Sequence, residues 1–160
     1  MARDHARIKI DIWDGDFTEL RAAEQHVYLL LASNRGLSRC GVLDYIPARF
    51  LGLAADLSAP RFRSAIGGLR AKRFVVIDDD TQELLVRSYV RHDGVLDRVN
   101  MGKATGAAFE AVVSDEIRHA IGDELARLMK ERPDLPGWEG LAIESPMAHA
   151  MACGMEWGKA

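Results

Sequence analysis

The sequence predicts an α+β chain, mainly α, in which two short helices across a tight turn lead into a β-hairpin and then into further helices. Three observations predict it. Residues 42–46 (VLDYI) are a short apolar run that suits a strand, and Pro47 follows at a first helical position, where its missing N–H costs nothing. Asp56-Leu57-Ser58 makes a tight break, and Ser58 is a good N-cap for a second helix over residues 59–73. Residues 74–77 (FVVI) and 84–90 (LLVRSYV) are β-rich runs joined by the polar turn 78–83. Helix, tight turn, helix and hairpin in that order describe a winged helix-turn-helix with a β-hairpin wing.

The remaining elements follow from periodicity and caps. Residues 1–12 alternate Ile8, Ile10 and Ile12 with Arg3, Arg7 and Lys9, which fits a short strand or a basic arm. Trp13 and Phe17 flank the acidic turn Asp14-Gly15-Asp16, and Thr18 is placed to cap a first helix running to Asn34. Leu20, Ala23, Val27, Leu30 and Leu31 give that helix one apolar face, and Gly36 suits the left-handed position after it. Beyond the wing, residues 104–113 read as helical. Ser114 caps a stronger helix, with Asp115 and Glu116 favourably placed at its positive end and Arg132-Pro133 stopping it. Ile117, Ile121, Leu125 and Leu128 form its apolar stripe, with Met129 alongside. Residues 134–146 hold Pro, Gly and Glu and read as a linker. Ser145-Pro146 then resembles an N-cap with proline at the first helical position. Met147, Met151 and Met155 fall four apart, near Trp157. They are either a face for a partner or a short helix folded back on its own domain, and the second is the default. The expected layout is a winged-helix DNA-binding domain over 1–95, a helical extension over 96–133, and a linker and tail over 134–160.

Composition narrows the function. At 160 residues the chain has no apolar run near the roughly 20 residues of a membrane helix and no signal-peptide core at its start, so a cytoplasmic protein with no membrane partner is expected. Cys40 and Cys153 match no metal spacing and read as free thiols. The net charge is −3, but it is unevenly spread. Residues 47–73 hold six cations against the single acid Asp56, whereas residues 106–160 hold ten acids and five bases. The basic part falls on the helix-turn-helix.

Wound at 100° per residue, the helix over 59–73 turns Phe62, Ala65, Ile66 and Leu69 one way and Pro60, Ser64, Gly67 and Ala71 the other. Arg61, Gly68 and Lys72 flank one side of the outward face, and Arg63 and Arg70 the other. A floor of small residues with basic edges suits a recognition helix in the major groove, with Arg61, Arg63 and Ser64 best placed for bases. Arg49, Ser58, Arg70 and Lys72, with Arg87 and Arg91 on the return strand, complete the expected DNA contacts. No Asn or Gln stands on the helix, so phosphate affinity should exceed sequence readout. Arg73 projects toward the buried side, toward Asp56 or the wing. Three aspartates at the wing tip, Asp78 to Asp80, would repel phosphate and read as a solvated turn rather than a metal site.

Catalytic signals are missing from the sequence. Gly102-Lys-Ala-Thr-Gly106 lacks the spacing of a phosphate-binding loop, the five histidines are scattered, and no nucleophile stands beside a plausible base. No enzyme activity, cofactor or metal is expected.

Ile8-Lys-Ile-Asp-Ile-Trp13, Tyr28-Leu-Leu-Leu31, Gly41-Val-Leu43, Leu53-Ala-Ala-Asp-Leu57, residues 69–77 (LRAKRFVVI) and residues 84–94 (LLVRSYVRHDG) occur in an order that resembles winged-helix proteins of actinobacterial phages and prophages. That family is similar to the N-terminal domain of DnaD-type phage replication organisers. The resemblance covers about residues 8–95 and, more loosely, the helix after Ser114. It implies a phage-like origin and binding to double-stranded DNA, in replication initiation or transcriptional regulation, and it supplies no catalytic residue. The residues themselves add two partner expectations: a homodimer through Ile117, Ile121, Leu125 and Leu128, unless that stripe packs back on the first helix, or a replication or host protein bound by the acidic C-terminal region. The rival reading, from another class, is a winged-helix module that binds a protein and not DNA.

Overall fold

The computed structural model describes residues 4–155. It is an α+β chain, mainly helical, with one small antiparallel sheet. Seven α-helices are present among the described residues: α1 (Ala22–Ala32), α2 (Ala59–Ala71), α3 (Tyr89–His92), α4 (Val99–Glu110), α5 (Asp115–Glu131), α6 (Gly137–Glu144) and α7 (Pro146–Ala152). The strands are β1 (Val42–Asp44), β2 (Val75–Asp78) and β3 (Glu83–Val86), in the order β1-β3-β2. Val42 pairs with Leu85, and Val75 with Val86. Helix, strand, helical turn, helix and hairpin, with the first strand beside the last, make the winged-helix topology with further helices after it.

The face projected for α2 is the buried one. Phe62, Ala65, Ile66 and Leu69 are all buried, and Phe62 stacks on Phe50 at 5.3 Å between ring centres. Ser58 caps α2 through the Arg61 N–H, and Ser114 caps α5 through the Ile117 N–H, as their sequence positions predict. The C-terminus of α2 closes with two backbone bonds, from Arg73 N–H to Arg70 O and from Phe74 N–H to Leu69 O. This is the Schellman arrangement, and it places Arg73 in the left-handed region at φ 62°.

Several elements differ from expectation. The first helix of the motif is two 3-10 turns, Pro47–Arg49 and Leu51–Leu53, which meet at Phe50 and end at the extended Ala54. Thr18 does not cap α1. It lies in a 3-10 turn, Asp16–Glu19, and α1 begins after Arg21, whose backbone N–H donates to Glu24 at 2.9 Å. Residues 10–14 form another 3-10 turn instead of a strand, and Ile10 is exposed. The return strand of the wing stops at Val86 because the chain turns into α3. Helix α4 starts at Val99, five residues before the expected onset.

The largest difference is the segment read as a linker. Residues 137–144 are helix α6, packed along α4. Trp138 and Leu141 are buried, and the Trp138 indole N–H donates to Arg132 O at 2.8 Å. Gly137 and Gly140, which suggest a loop in the sequence, are contact points between backbones. Methionines 147 and 151 lie on the core in α7, in the folded-back arrangement, while Met155 is exposed and Trp157 lies outside the described residues. One continuous core runs from Phe17 to Ala152, so the C-terminal helices share the hydrophobic interior of the winged helix.

Candidate nucleic-acid interface

Helix α2 presents a surface of small groups. Pro60, Ser64, Gly67 and Ala71 are all exposed, and a Cβ placed on Gly67 would meet nothing within 4 Å. Gly68, one residue on, serves packing instead: a Cβ there would lie 1.9 Å from Glu24 Oε1 on α1. Of the adjacent glycines, the first leaves the outer face open and the second seats α2 on α1.

The cations expected at DNA fall into two groups. In the first, the side chains are exposed and loosely held. Arg63 is exposed and has no ion pair among the described residues. Arg61 pairs with Asp56 at 2.7 Å, its side chain 64% exposed. Arg49 lies 3.7 Å from Asp44, and Arg70 lies 3.5 Å from Asp79 while also donating to Ile77 O. Exposed pairs of this kind contribute about 0–1 kcal/mol and yield readily to a phosphate. Ser64 is exposed, and Ser58 is exposed with its oxygen engaged in capping.

In the second group the cations turn inward. Lys72 bonds to Glu24 at 3.2 Å and to Glu19 O at 2.8 Å. Burial alone would push the Glu24 carboxyl up, but the Arg21 backbone N–H, the Arg21 guanidinium and Lys72 together hold it below the usual carboxylate range. Arg87 and Arg91, expected to reach the DNA backbone, bond instead to Glu124 of α5, at 2.9 and 3.3 Å. Arg127 joins them at 3.3 Å. Glu124 is buried, and an unpaired buried carboxylate is costly, so these arginines are its counter-ions before they are anything else. Arg73 is exposed and pairs neither with Asp56, which is taken by Arg61, nor with the wing.

The wing is short and anchored. Asp78 accepts from the backbone N–H groups of Asp80 and Thr81, which closes the turn. At its base Glu83 accepts from the N–H groups of Val113 and Ser114, tying the hairpin to the α4–α5 turn. Asp79 and Asp80 are exposed at the tip. Among the described residues no group of three or more His, Cys, Asp or Glu is arranged to hold a metal ion, and no helix is long and apolar enough to cross a membrane.

The stripe expected to mediate dimerisation is not a surface. Ile117, Ile121, Leu125 and Leu128 are all buried within the chain, where α5 packs against the sheet, α3 and α7. A dimer through these four side chains would require the fold to open. Sequence reasoning missed the two buried glutamates, yet a signal exists: Glu124 stands three residues after Ile121 and seven after Ile117, on the stripe itself.

No family model, curated protein or solved structure matches this chain.

Proposed function

We propose that the protein binds double-stranded DNA through the outward face of α2, as a phage-type replication-initiation or regulatory protein. The observation that carries this reading is the exposed Arg63, without an ion pair among the described residues, beside the open floor of Ser64 and Gly67, on the second helix of a winged-helix fold. Arg61, Arg49 and Arg70 add positive charge held only by exposed pairs. Few base-reading groups stand on this face, so affinity should come mainly from phosphate.

The test is a salt titration of duplex binding by the full chain and by the double variant Arg61→Ala, Arg63→Ala. The parent should weaken linearly in log–log salt by about 0.9 units per phosphate contact. The double variant should bind at least about tenfold more weakly, with a slope lower by about one to two units. Its stability should stay within about 0.5 kcal/mol of the parent. A double variant that binds like the parent would remove α2 as the DNA surface.

A protein-docking role is the second reading, and one observation favours it. Lys72, Arg87 and Arg91 are engaged with buried glutamates, and the wing tip offers phosphate two exposed aspartates. Absence of duplex binding by the parent at low salt would establish that alternative as the better one.

A further inference from the structure

Away from the outward face of α2, a cavity of about 510 Å³ lies between the N-terminal segment, α1, the end of β3, α3 and α5. Its size is that of a small-molecule site. The three arginines that share Glu124 line it, and one carboxylate cannot neutralise three guanidiniums. Glu131 approaches Arg91 at 3.6 Å but is itself 56% exposed. Arg73 reaches the same cavity from the end of α2, and Lys9 from the N-terminal segment; neither has an ion pair among the described residues. In total seven cations and four acids line this cavity; of the cations, Arg7 and Lys72 are paired with Asp97 and Glu24, which lie outside the lining. Arg91 Nε is buried and has no hydrogen-bond acceptor, so the protein does not use the full donor set of that guanidinium. Phe17, Tyr28 and Phe74 form an edge-to-face aromatic cluster that is part of the same lining.

We infer that this cavity is a binding site for a phosphorylated small molecule of nucleotide size, its phosphate held by Arg73, Arg91 and Arg127 and its apolar part set against Tyr28 and Phe74. Guanidinium forks match phosphate oxygens two at a time, and surplus positive charge over a buried carboxylate favours a multivalent anion over chloride. Glu124 fixes Arg91 and Arg127 in place before the ligand arrives, which lowers the ordering cost of binding, and Arg73 is ordered as it binds. A ligand seated here would bridge the winged helix and α5, adding to the Glu124 pairs that already join them. The same phosphate chemistry is offered by the DNA backbone, and the experiment separates the two sources.

The test uses the full chain at low salt, with ADP, AMP and inorganic pyrophosphate as calorimetric probes and a duplex as the nucleic-acid arm. Arg73→Gln and Arg127→Gln remove exposed arms and leave Arg87 and Arg91 on Glu124, so the fold is kept. The expected result is saturable ADP binding that each variant weakens about tenfold, the loss that follows from removing one charge-assisted contact. Arg63→Gln, on the outward face of α2, should leave ADP binding unchanged and weaken duplex binding. Absence of saturable binding of all three probes overturns the proposal. So does ADP binding that is indifferent to Arg73→Gln and Arg127→Gln. If those variants weaken duplex binding while no probe binds, the cavity belongs to the nucleic-acid surface and the proposal fails. Failure of duplex binding alone would count against α2 as a DNA surface and leave this site standing.

Discussion

Gly102→Ala isolates how the C-terminal helices are held. Helices α4 and α6 approach so closely that a Cβ on Gly102 would lie 1.9 Å from Gly137 O, where contacts under 3.0 Å essentially do not occur. Gly140 faces the same constraint in reverse, with its Cβ 1.9 Å from Val99 O. Both obstacles are backbone, so no rotamer change relieves them, and the helices must part by about an ångström. That movement would strain the Gly137 N–H bond to Leu96 O, now 2.9 Å, and loosen Trp138 and Leu141 from the core. Overpacking of this kind costs about 1–3 kcal/mol or more, and a rigid backbone obstacle puts Gly102 at the upper end. Alanine gains back about 1 kcal/mol in helix propensity. A net loss of about 2 kcal/mol remains, which is about 4–8 °C in melting midpoint for a chain of this size.

Gly67→Ala supplies the contrast. It makes the same chemical change in a helix interior, where nothing lies within 4 Å of the new methyl. Propensity alone then acts, and the variant should gain about 0.5–1 kcal/mol. Urea denaturation followed by circular dichroism at 222 nm measures both. Gly102→Ala as stable as the parent, or both variants shifted in the same direction, would refute the reasoning, because the difference between them rests wholly on what each methyl meets.

Three further outcomes are expected. Arg73→Gly should raise stability by up to about 1 kcal/mol, since a left-handed residue other than glycine carries strain at the end of α2; a loss on urea denaturation would mean that Arg73 makes a compensating contact. Burial pushes the Cys40 thiol up to about 11, whereas Cys153 is exposed, so a thiol reagent at pH 8 should label one cysteine in the native protein and two after denaturation. Glu24 is held below its ordinary value of 4.5, so the stability it confers is present above that pH and is lost as pH falls through its lower folded value; the deficit of Glu24→Gln against the parent should shrink from pH 7 to pH 3.5, and a deficit independent of pH would contradict the ionised role.

The winged helix was legible because its signals are local. Ser58 and Ser114 cap where serine is followed by an apolar period, and Phe62, Ile66 and Leu69 repeat at helical spacing. Helix α6 was hidden by the same reasoning. Gly137 and Gly140 weaken a helix considered alone, and only the neighbouring α4, with Gly102 facing Gly137, turns that weakness into close packing. The stripe of α5 is legible as apolar, but its cover is not, because a sequence shows which faces need covering and not what covers them. Here the sheet, α3 and α7 do so. The inward turn of Lys72, Arg87 and Arg91 was hidden for a related reason: their partners Glu24 and Glu124 lie 48, 37 and 33 residues away in sequence.

The two groups of cations predict an order of effects at the DNA surface. Releasing Arg61 from Asp56 or Arg70 from Asp79 gives up an exposed pair, about 0–1 kcal/mol, and Arg63 gives up nothing. Taking Lys72 from Glu24, or Arg87 from Glu124, strips a buried carboxylate of a counter-ion, and breaking a buried pair costs about 3–5 kcal/mol when no other partner remains. Glu24 keeps Arg21, and Glu124 keeps Arg91 and Arg127, so the real cost falls below that range but stays above the exposed case. Single alanine substitutions should therefore separate into two classes. Arg63→Ala and Arg61→Ala should weaken duplex binding and lower its salt slope by about one unit each while melting like the parent. Lys72→Ala and Arg87→Ala should melt lower and leave the salt slope of the folded fraction unchanged. If Lys72→Ala instead reproduces the slope change of Arg63→Ala at parental stability, Lys72 leaves Glu24 for phosphate, and the division into outward and inward cations is wrong.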